Sequence, residues 1–148
     1  MPFDGARAWW WMALAVATAA TLGSLSLSGI GPLGWRGLGY FPCELCWYQR
    51  VLMYPIPLVV GVALARRARG FAWIVLPLAV AGFLVATYHV LIQANPALEA
   101  GQCYVGSCVG GDLLFGGLVS VPQLSWAAFL LVAALALMAD RAEAAAAG

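Results

Sequence analysis

Residues 71–94 read FAWIVLPLAVAGFLVATYHVLIQA, an apolar run in which His89 is the one side chain that titrates near neutral pH. A helix needs about 20 predominantly apolar residues to cross the hydrocarbon core of a bilayer. This run is long enough to do so, and it contains no permanently charged residue. We therefore predict a transmembrane helix over residues 71–94.

The composition of the whole chain agrees with a membrane protein. Of its 148 residues, 64% are hydrophobic and 9% are charged, whereas a soluble domain has roughly 45–50% apolar and about 25% charged residues. A water-soluble globule and a disordered chain are both excluded, since disorder requires low hydrophobicity. Seven Arg and six carboxylates give a net charge of +1, so no basic surface for nucleic acid is expected.

Three further segments are apolar enough to span, and they lie at about residues 9–28, 47–65 and 122–139. A cleaved signal peptide is the alternative for the first of them, but its apolar core is longer than the roughly 7–15 residues of a signal peptide. We predict an all-α membrane protein, a four-transmembrane-helix bundle that forms a single domain over residues 1–148.

The arginines predict the orientation of the bundle. Five of the seven flank the first helix, the turn between the second and third, or the end of the fourth: Arg7, Arg66, Arg67, Arg69 and Arg141. The positive-inside rule therefore predicts that both termini are cytoplasmic and that residues of about 28–46 and 95–121 face outward. Within the second of these outward segments, the short stretch 112–121 is expected to lie along the outer interface.

All four cysteines fall in the two outward segments, as Cys43 with Cys46 and Cys103 with Cys108. Two structural disulfides are one interpretation, because the outer side is oxidising. A zinc site made by all four is another, although oxidising surroundings argue against it, and no metal is expected. The third is redox exchange, since a C-x-x-C pair at a helix start is where a thiolate is stabilised.

Three polar side chains lie inside the apolar runs near the outer end. Arg50 follows Cys46 by one helical turn, and His89 is expected at nearly the same depth, with Gln93 one turn further on its face. Arg50 could simply snorkel to the headgroups, and His89 could be an interfacial histidine. The functional interpretation is that the three bind a ring-shaped cofactor between the second and third helices.

The run FPCELCWYQRVLMYP at residues 41–55, together with Tyr88-His89 and Gln93, resembles the disulfide bond formation protein B (DsbB) family. The chain is most similar to its short-loop branch, often called BdbC. The resemblance extends over most of the chain, including the four-helix plan and the second outer cysteine pair. The spacing of Cys103 and Cys108 departs from the better-known branch, in which this pair is much further apart.

The resemblance implies a quinone-linked thiol oxidase in the bacterial cytoplasmic membrane, a monomer that reoxidises a soluble thioredoxin-like (DsbA-like) partner. Disulfides Cys103–Cys108 and Cys43–Cys46 are implied. The partner would attack Cys103, Cys108 would pair transiently with Cys43, and Cys46 beside Arg50 would meet the quinone. The quinone would be ubiquinone or menaquinone, and the quinol would carry two electrons to the respiratory chain.

Two other classes of protein compete with this interpretation. Vitamin K epoxide reductases also couple outer cysteines to a quinone, but their quinone-proximal C-x-x-C lies near the last helix, whereas CELC opens the second. A non-catalytic scaffold or small transporter with two loop disulfides would explain the cysteines. It gives no reason for Arg50, His89 and Gln93 at one depth.

Overall fold

The computed structural model describes residues 3–27, 43–99, 108, 113–114 and 118–147. Five α-helices lie in these ranges: α1 Phe3–Leu27, α2 Glu44–Met53, α3 Pro55–Ala65, α4 Ala72–Ala94 and α5 Val121–Ala147. A short 3₁₀ helix at Pro96–Leu98 follows α4. Helices α2 and α3 together form one span, so the described residues contain four helices long and apolar enough to cross a membrane. The predicted four-helix membrane protein is confirmed.

The second span divides into two helices at Tyr54, where α2 meets α3. Tyr54 between them is helical, and its N–H still donates to the carbonyl of Arg50 at 2.9 Å. Pro55 and Pro57 lack the N–H groups that would continue the hydrogen-bond ladder, so the helix is interrupted there. Pro77 differs, because α4 runs continuously through it.

Helix α5 packs along both α1 and α4, and small residues allow these contacts to be close. Ala13, Ala17, Ala79, Ala86, Ala136 and Ala139 are all buried in the main apolar cluster. Close backbone approach of this kind is how helices associate in lipid, where no hydrophobic force drives them together. The tightest approach is at Gly82 of α4, where the ring of Phe129 occupies the space that a Cβ would need.

At the arginine-rich end, one carboxylate joins three parts of the chain. Glu143 of α5 accepts hydrogen bonds from the Trp10 indole N–H at 2.8 Å and from the Gly70 backbone N–H at 3.0 Å. Gly70 has a φ of 67°, which glycine adopts without strain. The ring of Phe71 stacks on Trp10 with centroids 4.1 Å apart. These contacts fix the turn between α3 and α4 against α1 and α5.

The opposite end carries a small antiparallel ladder. Strand β1, Leu113–Leu114, pairs with β2, Val119–Ser120, directly before α5. The expectation that residues 112–121 lie along the membrane interface stays a prediction. All of residues 28–42, and all of residues 100–112 except Cys108, lie outside the described residues, so Cys103 does too.

Candidate active site

The two cysteines of the CELC motif meet at the start of α2. Cys43 is the N-cap residue, with extended backbone angles of φ −69° and ψ 170°, and its carbonyl accepts from the N–H of Trp47 at 3.2 Å. Cys46 lies in the first helical turn, and the two Sγ atoms are 3.1 Å apart. Both are free thiols in the structure. The N–H groups and dipole of a helix start favour negative charge on such sulfurs.

His89 of α4 reaches this pair from the neighbouring helix. Its Nε2 atom lies 3.7 Å from Cys43 Sγ, and its Nδ1 atom lies 3.1 Å from the side-chain nitrogen of Gln49. His89 is 2% exposed and Gln49 is 6% exposed, so this chain of contacts is shielded from solvent. A Gln amide N–H that donates to Nδ1 leaves the ring proton on Nε2, where it faces the sulfur of Cys43.

Gln49 is the site residue that the sequence interpretation did not assign. It belongs to the stretch CELCWYQR at residues 43–50, yet its role depends on which face of α2 meets α4. An uncharged amide inside an apolar run was the available signal, because polar side chains within spanning segments are usually functional.

Cys43 lies just outside the spanning segment Glu44–Ala65, and its surroundings favour the thiolate. Its pKa is lowered to about 4, mainly by the hydrogen bond with the Cys46 thiol and further by the hydrogen bond with His89. Burial acts in the opposite direction and raises the pKa. The hydrogen bonds from Cys46 and His89 therefore favour the thiolate of Cys43.

A pH titration of alkylation tests this ionisation. Because the pKa of Cys43 is lowered to about 4, the reduced chain should react with iodoacetamide at Cys43 as fast at pH 6 as at pH 8. The rate should fall only as the pH approaches 4. We expect the midpoint to rise in Cys46→Ala, which removes the main cause, and less in His89→Ala. Peptide mass spectrometry in a Cys103→Ala/Cys108→Ala background gives the rate, and a midpoint near 8.5 in the parent, the ordinary value for cysteine, would contradict the assignment.

Cys108 lies in the same small cluster as the CELC pair. It is disulfide-bonded and buried, and the cluster consists of Cys43, Leu45, Ile92 and Cys108, with Cys46 packed against it. Thus one cysteine of the second outer segment lies in the same apolar cluster as the CELC pair. The predicted pairing of Cys108 with Cys103 stays a prediction, since Cys103 lies outside the described residues. The predicted Cys43–Cys46 disulfide also stays a prediction, since the structure has this pair as free thiols.

Arg50 points toward α1. Its Nη2 donates to the carbonyl of Ser24 at 3.3 Å, and its Cζ lies 5.4 Å from the centroid of a Trp47 ring. The Tyr54 hydroxyl donates to Ser24 Oγ at 3.4 Å. Among the described residues, Thr21 Oγ1 is buried with no hydrogen-bond partner. Polar groups of α1 and of the second span therefore meet at this contact.

Gln93 contacts neither His89 nor Arg50 through a hydrogen bond seen in the described residues. Its Oε1 atom accepts from the hydroxyl of Ser120 at 2.9 Å, and the N–H of Ser120 donates to Gln123 Oε1 at 3.0 Å. These bonds tie the end of α4 to the start of α5. A cofactor contact at Gln93 stays a prediction.

Comparison with known proteins gives the family. The family model described as "Disulfide bond formation protein DsbB" matches residues 6–139. The chain is 38% identical over 122 residues to "Probable disulfide formation protein C 2" of Bacillus anthracis, with 82% of each chain covered. It is 37% identical to "Disulfide bond formation protein C" of Bacillus subtilis, covering 79% of this chain and 81% of the relative.

A more distant relative has the same description. "Probable disulfide formation protein" of Chlamydia trachomatis is 34% identical, over 69% of this chain and 75% of its own length. No solved structure matches the chain significantly. The chain belongs to the DsbB family of disulfide bond formation proteins, and it is a multi-pass membrane disulfide oxidoreductase with a thiol oxidase role in disulfide formation.

Proposed function

We propose that this protein oxidises a soluble thioredoxin-like dithiol partner and passes the electrons through Cys103 and Cys108, then Cys43 and Cys46, to a membrane quinone. The single observation that carries the proposal is the cluster that contains Cys43 and Cys108, with Cys46 packed against it. Thiol–disulfide exchange requires direct attack of a thiolate on a disulfide sulfur. The shared cluster brings Cys108 of the second outer segment near the CELC pair, which supports an exchange step between them.

The proposed order of exchange is the one that the family resemblance implies. The partner's thiolate attacks Cys103 and frees Cys108, which attacks Cys43 of an oxidised Cys43–Cys46 pair and releases Cys46 as a thiolate. The partner's second thiol then attacks the bond between the partner and Cys103, so the partner leaves with its own disulfide and Cys103 is freed. Cys103 attacks the bond between Cys108 and Cys43, which restores the Cys103–Cys108 disulfide and frees Cys43. The net result is one partner disulfide, two electrons on the CELC pair and two protons to be released.

His89 and Gln49 serve Cys43 in this scheme. Gln49 holds the Nδ1 side of the ring, so that Nε2 can give a proton to the Cys43 sulfur or take one from it. Gln49 is thus a positioning residue that acts through His89. An amide that orients a histidine beside a cysteine is a known arrangement for activating a thiol.

The polar contact between α1 and the second span has donors that fit a quinone ring. Arg50 and Tyr54 supply N–H and O–H groups there, and the buried Thr21 hydroxyl lacks a partner among the described residues. A bound quinone, ubiquinone or menaquinone, would accept the two electrons and two protons and leave as quinol for the respiratory chain. Arg50 would hold the ring oxygen. The predicted contacts of His89 and Gln93 belong to a quinone between the second and third spans, which is a separate proposal because both residues lie on α4.

The location follows from the two ends of the bundle. The arginine-rich turn and the Glu143 contacts lie at one end, and the cysteines lie at the other. The positive-inside rule then assigns the cysteines to the outer side of the bacterial cytoplasmic membrane, where the partner and oxidised substrates are. A monomer that meets one partner at a time is sufficient for this scheme.

Selective crosslinking tests the exchange step. The variant Cys46→Ala/Cys103→Ala leaves only Cys43 and Cys108, which we expect to form a disulfide under mild oxidation because both are buried in one cluster. The matched control, Cys43→Ala/Cys103→Ala, leaves Cys46 and Cys108 and should crosslink more slowly. Peptide mapping identifies the bond. Absence of the bond between Cys43 and Cys108, or equal rates in the two variants, would contradict the proposed order.

Replacing Arg50 with alanine should impair the quinone half-reaction and spare exchange with the partner. Loss of a charge-assisted hydrogen bond costs about 1.5–3 kcal/mol, which raises the KM for quinone by about 10- to 100-fold. The two half-reactions are measured separately by stopped flow. An equal loss of both half-reactions would mean that Arg50 supports only the packing of α1.

A further inference from the structure

The reduced CELC pair and His89 bring three soft ligand atoms to one point. The Sγ atoms of Cys43 and Cys46 and one ring nitrogen of His89 all lie within 4.8 Å of one another. The shorter separations are 3.1 Å between the sulfurs and 3.7 Å between Cys43 Sγ and His89 Nε2. In a tetrahedral zinc site, Zn–S and Zn–N bonds of about 2.3 and 2.0 Å hold the ligand atoms about 3.5–3.8 Å apart. Small side-chain rotations would therefore open this cluster around an ion.

The contact between His89 and Gln49 also suits the binding of a metal ion. A histidine that ligates a metal almost always has its other ring nitrogen held by a hydrogen-bonding group, which fixes the ring. Gln49 lies 3.1 Å from Nδ1, and Nε2 is the nitrogen that faces the sulfurs. With the amide turned to present its oxygen, Gln49 would accept from Nδ1–H while Nε2 binds the ion.

We propose that the dithiol form of this centre binds a thiophilic divalent cation, Zn²⁺, through Cys43, Cys46 and His89. Binding displaces any remaining thiol proton and transfers no electrons, so the two thiolates balance the charge of the ion while the neutral imidazole adds none. The complex is neutral, which reduces the cost of holding it at the membrane edge. Cys46 is only partly buried, so the fourth position opens toward the outer surface and takes water.

The site exists only while the pair is reduced. Disulfide formation removes both thiolate ligands, and a bound ion in turn occupies the sulfurs that must join. Zinc would therefore hold the CELC pair in its dithiol state and inhibit turnover reversibly. Ion binding itself rests on the three side chains alone, and only this inhibition depends on the thiol oxidase activity.

Cobalt is the spectroscopic probe for the site. In a Cys103→Ala/Cys108→Ala background, reduction exposes only the CELC pair, and the purified chain is titrated with Co²⁺ in detergent under anaerobic conditions. We expect one Co²⁺ per chain, with thiolate charge-transfer bands and the intense visible bands of tetrahedral cobalt, and displacement by Zn²⁺. The oxidised chain should bind none. Cobalt bands of equal strength in the disulfide form would overturn the proposal.

Two matched pairs of variants assign the ligands. His89→Ala and Cys46→Ser should each lose the tetrahedral spectrum, and Gln49→Leu should bind about 10- to 100-fold more weakly while keeping it. Gln93→Leu, the same substitution one turn beyond His89, should bind as the parent does. Gel filtration in detergent confirms that each variant is folded, and a parent-like affinity in folded His89→Ala would overturn the site. Neither partner nor quinone is present, so failure here leaves the thiol oxidase proposal intact.

Discussion

Replacing Gly82 with alanine is expected to destabilise the bundle by about 3 kcal/mol, near the upper end of the usual cost of overpacking. The new Cβ would enter the space that the ring of Phe129 occupies. Both residues are buried at the contact between α4 and α5, so neither helix can move aside without losing its packing. The expected result is a strongly lowered unfolding midpoint in detergent, measured by thermal unfolding.

Gly61 offers the matched control, and Phe129 offers the rescue. A Cβ at Gly61 would meet Leu14 Cδ1 at 3.9 Å, an ordinary contact, so Gly61→Ala should be neutral or stabilising by up to about 1 kcal/mol through helix propensity. The double variant Gly82→Ala/Phe129→Leu should be more stable than the sum of its two single changes predicts. Strict additivity, or a harmless Gly82→Ala, would contradict the close approach of α4 and α5.

Replacing Cys46 with serine is expected to stop multiple-turnover oxidation of the partner, with a loss of at least about 10³-fold, as for other essential nucleophiles. Serine keeps the size and a hydrogen bond to Cys43, but it cannot form the CELC disulfide. Oxidation of a reduced thioredoxin-like protein, followed by alkylation gels, measures the rate. A Cys46→Ser chain that still turns over would mean that Cys46 is not on the route of the electrons.

Cys103→Ser gives the contrasting result. It removes the proposed partner-facing sulfur but leaves the CELC pair intact, and Cys46 is partly exposed. A small dithiol such as dithiothreitol should therefore still reduce the pair directly and drive quinone reduction in this variant. If Cys46→Ser loses this activity and Cys103→Ser keeps it, the role of the partner-facing cysteines is separated from that of the quinone-facing pair.

The four spans could be predicted from the sequence because hydropathy alone identifies segments that must cross a bilayer. Their ends could not. Helix α1 begins at Phe3 and α5 continues to Ala147, beyond the predicted limits of residues 9 and 139. These extensions contain many alanines, which favour helix whether or not they lie in lipid. Hydropathy reports the apolar core of a span and not where its backbone stops being helical.

The positions of the site residues along each helix could be predicted from the sequence, but the contacts between helices could not. The position of the CELC cysteines at a helix start and the depth of His89 follow from the spacing of residues along each helix. That His89 faces Cys43 and Gln49, and that Arg50 faces Ser24, depends on how α2 is rotated against α4 and α1. That rotation is set by packing across the bundle, which includes the Gly82–Phe129 approach, and no single segment encodes it.

The most direct test of the proposed electron transfer from partner to quinone is to monitor quinone reduction by its ultraviolet absorbance. Purified protein in detergent is mixed with a reduced thioredoxin-like dithiol and a soluble ubiquinone or menaquinone analogue, and the quinone lost is compared with the disulfide formed. The proposed transfer predicts one quinol per partner disulfide, and no reaction when the protein is omitted or carries Cys46→Ser. Partner oxidation that proceeds at the same rate without quinone, or no quinone loss with either analogue while the partner is oxidised, would contradict it.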